Sequence, residues 1–355
     1  MFGKTLKKYR LSKKYSIKNL AVKVNMDSSL LSRIENEKRL PSKENVISLA
    51  KVFEINTNEF LKLWLEDKIS GILSEYPSEA QEVLKALENR IEYLTKNRIA
   101  EIPELPNKLH KLLGEIDQLK AEWKLKKPLN KIQLQKLEEH FKLNYTYESN
   151  RIEGNTLTLQ ETFLVINQGL TISGKSMQEH LEAINHDEAI EFITELAYKN
   201  IPISEFQLKQ IHHLVLKGID RKNAGVYRNV QVRIGGSKHL PPEPYLVPKL
   251  MEDYFFTYQS QINKTHPVIL AADLHERLVS IHPFIDGNGR TSRLLMNLVL
   301  IQNGYPICNL KGNQNSRLEY YKALEMVQEK NEPLLFYELI LKNIKQSLKD
   351  HLALT

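Results

Sequence analysis

The chain has 355 residues, 41% of them hydrophobic and 26% charged, a balance that supports buried cores and excludes a disordered or fibrous protein. Its single cysteine, Cys308, excludes an intrachain disulfide framework and suits a reducing compartment. The net charge of +7 is confined to the start, because residues 1–60 hold 13 Lys/Arg against 6 Asp/Glu and the rest of the chain balances. The opening MFGKTLKKYR turns charged at once, unlike a secretory leader, and the longest apolar run, Leu294 to Ile301, is short and carries Asn297. A cytoplasmic protein with no membrane partner is therefore expected.

The first elements are short helices with tight joints. Ser16 can cap a helix whose apolar face is Ile17, Leu20, Ala21 and Val24. Asn25 sits where the chain must turn, and asparagine tolerates the left-handed conformation. Asp27 or Ser28 then caps a helix burying Leu30, Leu31 and Ile34, and Pro41-Ser42 restarts the chain into one with Val46, Leu49 and Ala50 inward. Two short helices across a tight turn, in a basic bundle, fit a helix-turn-helix. The pattern LA…V…LLSRIENEKRLP resembles the Cro/repressor-like (XRE) family over about residues 4–65, departing at Asn25 and Glu37, where that family usually has glycine. The resemblance implies that residues 1–65 bind DNA, with Ser28, Ser29, Ser32 and Arg33 facing the major groove and Lys18 and Lys38 near phosphates. A protein-binding helical domain is the alternative.

Residues 66–135 read as a charged helical spacer. Leu84, Leu87, Ile91 and Leu94, then Leu109, Leu112, Ile116 and Leu119, follow a heptad that Pro103 and Pro106 interrupt, so two packed helices are expected rather than a long coiled coil. Further on, GLTISGKS, Gly169 to Ser176, matches the phosphate-loop pattern letter for letter. That loop must leave a strand, whereas Leu159, Phe163 and Ile166 upstream keep helical spacing and Gly169 is placed to end that helix. The match is read as accidental. His275-Glu276 lacks the second histidine of a zinc pair, since position 279 is Val279, and His212-His213 are assigned to packing. No zinc is expected.

The informative stretch is SIHPFIDGNGRTSRLLMN, Ser280 to Asn297. Pro283 biases His282 away from helical dihedrals and fixes where the imidazole leaves the backbone. Phe284 anchors the loop, and Asp286-Gly287-Asn288-Gly289 lets backbone approach a ligand closely. Arg290 opens the next helix, whose free N–H groups favour an anion, and Arg293 follows one turn later. Together these residues make a polyphosphate cradle with a histidine base and a carboxylate suited to Mg²⁺.

At these residues the chain resembles the Fic (fido) family of protein adenylyltransferases, whose motif HPFx[DE]GNGRxxR is met at every fixed position. The likeness covers about residues 135–345 and implies a mainly α fold, an all-α core with one β-hairpin flap. It implies that His282 takes the proton from a target hydroxyl attacking the α-phosphate of ATP, that Asp286 ligates Mg²⁺, and that Gly287, Asn288, Gly289 and Arg290 hold the α- and β-phosphates. Arg293 would hold the γ-phosphate, with Thr291 and Ser292 in the same nucleotide-binding segment. GVYR, Gly225 to Arg228, matches the element ahead of the family's flap. Val230, Val232 and Ile234 alternate with polar residues before the Gly235-Gly236 turn, which reads as a hairpin. Gly236, Ser237, Lys238 and His239 of that flap, and Tyr320, Tyr321 and Gln328 later, stand where the family contacts nucleotide. Finally, SNRIEG, Ser149 to Gly154, resembles the family's inhibitory motif and implies that Glu153 pairs with Arg293 in the γ-phosphate position.

The expected organisation is a DNA-binding domain at 1–65, a spacer at 66–135 and a Fic domain at 136–355. Within the last, the inhibitory helix lies near 137–154, the flap near 225–242 and the core motif at 282–293. The reading is a self-inhibited transferase of AMP from ATP to a Tyr, Ser or Thr hydroxyl of a target protein, itself included, with DNA and a second copy of the chain as further partners. The alternatives are a transcription regulator whose Fic core senses nucleotide or modifies itself, and a Fic enzyme that removes AMP.

Overall fold

The computed structural model describes residues 2–85, 102–126 and 131–354, and the chain forms two compact units divided at residue 95. Among the described residues there is no strand, and no helix is long and apolar enough to cross a membrane.

In the first unit, α1 (Phe2–Ser12), α2 (Ile17–Lys23), α3 (Ser28–Glu35), α4 (Lys43–Phe53) and α5 (Thr57–Ser74) surround one apolar core. Ser16, Asp27 and Ser42 accept hydrogen bonds from the first free N–H groups of α2, α3 and α4, which settles the second cap on Asp27. Asn25 and Glu37 both adopt positive φ, 52° and 58°, so each stands in a conformation that glycine adopts at lower cost. Leu20, Leu31, Ile34, Val46 and Leu49 fill the core with Phe2, Leu6 and Phe60. Beside them Arg10 and Glu35 form a buried two-pronged pair at 2.6 and 2.8 Å, and Arg10 also donates to the Tyr15 carbonyl.

The second unit is built on α12 (Pro267–Ile281), which is buried on nearly every side, and α13 (Asn288–Gln302), which is buried from Arg290 to Leu300. Packed around them are α7 (Lys131–Ile152), α8 (Leu159–Gln168), α9 (Met177–Tyr198), α10 (Glu205–Leu216), α11 (Val247–Gln261), α14 (Gln314–Lys330) and α15 (Leu334–Ala353). Helix α6 (Asn107–Lys126), part of the stretch read as a spacer, packs in this unit against α15. Its buried face is Leu109, Leu113, Ile116 and Trp123; Leu112 and Leu119 of the heptad reading stay half-buried, because packing follows one straight helix face. Leu84 is exposed, and Leu87, Ile91 and Leu94 lie outside the described residues.

The letter match at GLTISGKS joins two helices. Gly169 ends α8 with φ 64°, and Ser176 opens α9 with a reciprocal capping box to Glu179, so no strand feeds the loop. The expected β-hairpin needs correction. Gly235-Gly236 do form a turn, but the arms on either side make no ladder. The Arg228 and Gln231 side chains lie between the arms instead, donating to the Pro242 and Pro241 carbonyls and taking the place of backbone partners. Two prolines on the return arm also lack the N–H groups a ladder requires.

Removing one partner of a buried ion pair strands the other. Glu35→Ala should therefore destabilise the first unit by about 3–5 kcal/mol. Urea unfolding followed by Trp64 emission in a Trp123→Phe background measures this; an unchanged midpoint would show that the pair contributes nothing net.

Candidate active site

The end of α12 sets the site. His282 closes that helix in the left-handed conformation, φ 51° and ψ 58°, because Pro283 disfavours helical dihedrals in the residue before it. Its Nδ1 lies 3.3 Å from the Val279 carbonyl, which can only accept, so the proton sits on Nδ1 and Nε2 keeps its lone pair. Burial pushes the imidazole pKa down to about 4, with Arg228 and His239 adding to the effect against the Val279 bond. A neutral imidazole with a free Nε2 can take a proton.

The loop that follows is held from three sides. Asn288 folds back on it, accepting from the Phe284 N–H at 3.0 Å and donating to the Phe284 carbonyl at 2.9 Å. Arg228 donates through its backbone to the Pro283 carbonyl and through Nε to the His282 carbonyl at 2.8 Å. His212, fully buried, donates to the Asp286 carbonyl at 2.9 Å and stacks on Phe284 with ring centroids 3.6 Å apart. Asp286 itself is exposed; its Oδ1 accepts from the Gly287 N–H and its Oδ2 lies 3.6 Å from Arg290. A single exposed carboxylate near a buried guanidinium could hold Mg²⁺, which binds through one or two carboxylates plus other oxygens.

At the start of α13 two guanidiniums are buried. Arg293 donates to the Ser149 hydroxyl and carbonyl, each at 3.0 Å, and to Glu153 Oε1 at 2.7 Å. Its Nη1 has no hydrogen-bond partner, and neither do Nε and Nη1 of Arg290, although Nη1 lies 3.3 Å from Glu182. Buried guanidinium donors of this kind can take an anion. The Glu153 carboxylate covers the backbone at Gly289, where a Cβ would collide with Oε1. Burial pushes the Glu153 carboxyl up, but Arg293 and Arg290 outweigh it and hold it below its ordinary value. Burial likewise opposes the Arg293 charge, and Glu153 restores it with a net rise.

The sequence-predicted residues divide by position. His282, Asp286, Gly287, Gly289, Arg290, Arg293, Ser149 and Glu153 converge on this corner. Asn288 is there too, but its side chain is committed to the loop. Ser292 bonds the Asn288 carbonyl behind the helix, and Thr291 is buried with its hydroxyl unpartnered. On the flap, Gly236 and Lys238 are exposed, Ser237 accepts from the His239 N–H, and His239 Nε2 donates to the Ser280 carbonyl at 2.8 Å, tying the flap to the end of α12. Tyr320 is buried against His275 and Phe336; Tyr321 is partly exposed and donates to the Ile152 carbonyl; Gln328 is half-buried. The loop contacts of His212 and Arg228 went unread in the sequence: a buried histidine looks like packing, and only the GVYR pattern flagged Arg228.

Residues 202–300 match the Fic/DOC family model and residues 6–60 the helix-turn-helix model. The chain is 40% identical over 186 residues to the protein adenylyltransferase Fic of Drosophila grimshawi, covering 52% of this chain and 38% of that protein. It is 39% identical over the same length to the Drosophila melanogaster counterpart, and so spans under two-fifths of either relative. Among solved structures, a Fic domain containing signaling protein from Bacteroides thetaiotaomicron shares 29% identity at TM-score 0.62, over 68% of this chain and 96% of that one. Fic-1 from C. elegans shares 26% identity at TM-score 0.62, over 92% of each chain.

His282 and His212 are held neutral, each with its pKa lowered to about 4, and burial pushes His186 and His275 well below the ordinary histidine value. The unfolded chain binds protons at these positions from about pH 6.5 down and the folded chain does not, so stability should fall as pH drops from about 6.5 towards 4. Urea midpoints across that window check it. A flat profile would mean that these rings are protonated in the folded protein.

Proposed function

We propose that the chain is a protein adenylyltransferase that restrains itself through Glu153 and binds DNA through residues 1–65, a reading supported by the match of residues 202–300 to the Fic/DOC family model and of residues 6–60 to the helix-turn-helix model. The observation that supports this reading best is the neutral His282 set beside two buried arginines with unsatisfied donors.

A target hydroxyl gives its proton to His282 Nε2 as its oxygen attacks the α-phosphorus of ATP. The bond from that phosphorus to the bridging oxygen breaks, pyrophosphate leaves, and AMP remains esterified to the target. Arg290, the Gly289 backbone and the free N–H groups of α13 neutralise phosphate charge, which is most of what such a transfer requires. Asp286 would hold Mg²⁺, which supplies further charge neutralisation on the phosphates. The arms around Gly235-Gly236 flank His282 and are suited to present the target segment, whose hydroxyl-bearing residue is Tyr, Ser or Thr.

Glu153 occupies the Arg293 donor that the γ-phosphate would use, so the two compete for one cation. A charge-assisted pair contributes about 1.5–3 kcal/mol, enough to make the productive ATP pose a minor state by roughly ten- to a hundredfold. On α3, Ser29 and Arg33 are exposed and Ser28 and Ser32 half-buried on the face towards solvent, with Lys18 and Lys38 exposed nearby. The excess positive charge of the chain lies in the same sixty residues, which supports DNA as the partner of this unit.

Glu153→Gly removes the competitor and should raise labelling from α-labelled ATP by roughly ten- to a hundredfold, on target or on the chain itself. Adding His282→Ala should erase the gain, and Arg293→Ala should not activate, because the γ-phosphate needs the same cation. If Glu153→Gly labelled no faster than the parent, Glu153 would be only structural. For the first unit, a fragment of residues 1–65 should bind duplex DNA with an affinity falling steeply with salt, and Arg33→Ala should weaken it by about 1–3 kcal/mol. Gel shifts that are absent or salt-independent would assign this domain to protein recognition.

A further inference from the structure

Adjacent histidines on one helix face different ways, and α10 buries His212 completely while leaving His213 exposed. The buried ring has two committed nitrogens. Nδ1 lies 2.8 Å from the Gly225 N–H, which can only donate, so Nδ1 must present its lone pair. The ring proton is therefore on Nε2, which donates to the Asp286 carbonyl at 2.9 Å. One tautomer satisfies both contacts, and a protonated ring would lose the first.

The same ring touches the loop at two further residues. It stacks on Phe284 with planes 6° apart, and a Cβ at Gly287 would lie 3.3 Å from Nε2. Gly225, held by the other nitrogen, opens the segment whose Arg228 grips the His282 and Pro283 carbonyls. By contrast, among the described residues the polar partners of the Asp286 carboxylate are its neighbour's N–H and a guanidinium at 3.6 Å. Its direction is set by its backbone, and that backbone is fixed by His212.

We propose that His212 is a positioning residue for nucleotide-bound Mg²⁺, aiming the Asp286 carboxylate through a hydrogen bond to the Asp286 carbonyl. The inference rests on the reading of Asp286 as the Mg²⁺ ligand. Groups behind a metal ligand commonly change metal affinity ten- to a hundredfold when removed.

Two partial isosteres separate the two contacts. Asparagine places an acceptor near Nδ1 and loses the donor to Asp286, whereas glutamine carries an amide donor to about the position of Nε2. The probe is ADP, which has no γ-phosphate to compete with Glu153. Calorimetry on the full chain compares ADP binding with Mg²⁺ and with EDTA, alongside thermal unfolding of each variant. The parent should bind ADP more tightly with Mg²⁺; His212→Asn should lose that gain by about tenfold or more with little change in EDTA, and His212→Gln should keep most of it. No Mg²⁺ gain in the parent would overturn the reading of Asp286 itself. A gain retained in His212→Asn, or lost equally in His212→Gln, would overturn the role of the Nε2 donor while leaving Asp286 as the ligand.

Discussion

A guanidinium 1% exposed cannot stand without an anion, and the corner of the second unit is arranged around that requirement at Arg293. Ser149 supplies neutral acceptors through its hydroxyl and carbonyl, and Glu153 supplies the charge. The geometry leaves Nη1 unsatisfied even so. Burial thus keeps the cation permanently in demand of negative charge, whether a carboxylate of the chain or a phosphate of a ligand. The asymmetry lies in exposure. Arg293 is locked in the core of α13, while the Glu153 side chain is one-third exposed at a helix end, so the carboxylate is the partner that can leave.

The opposite wall of the site is rigid for a different reason. Pro283 and Phe284 are buried, and hydrogen bonds to the loop's backbone carbonyls add to that packing. Arg228 takes those of His282 and Pro283, Asn288 takes that of Phe284, and His212 takes that of Asp286. Four of the five carbonyls from His282 to Asp286 are therefore held by the buried residues Arg228, Asn288 and His212. The left-handed backbone at His282 costs on the order of 1 kcal/mol, and this set of bonds is what sustains it.

Much of this was legible in the sequence because local chemistry determines it. Caps at Ser16 and Ser42, the helix stop at Gly169 and the departure of His282 from helical dihedrals each depend on one or two neighbouring residues. The core motif was legible because its fixed residues follow one another. What did not read through was non-local. The alternation at Val230, Val232 and Ile234 describes strand-like faces, but whether arms pair depends on what lies between them, and Arg228 and Gln231 fill that space. The heptad at Leu109 to Leu119 shifted to Leu113 and Trp123 because the partner, α15, lies far away in sequence. The contacts of His212 were invisible because its partners are 13 and 74 residues distant.

Helix polarity carries the last step. Glu153 follows Ile152, the final residue of α7, where that helix's own dipole disfavours a negative charge. It is held there by positive ends supplied from elsewhere, Arg293 and the N-terminus of α13 at Gly289. The end of α7 is in turn fastened on its far side, with the Gly312 N–H donating to Glu148 at 2.8 Å and the Tyr321 hydroxyl donating to the Ile152 carbonyl at 3.1 Å. A Cβ at Gly312 would come within 2.8 Å of the Glu148 carbonyl, so the backbones meet as closely as glycine allows. The carboxylate is thus not bound by its own affinity alone but delivered by an anchored helix, which reduces the entropy lost on pairing. On the proposed reading, a triphosphate would bring more charge to the same N-terminus but would arrive untethered. The balance between them would then depend on how firmly Gly312 and α14 hold the helix that carries Glu153, as well as on the Glu153–Arg293 contact.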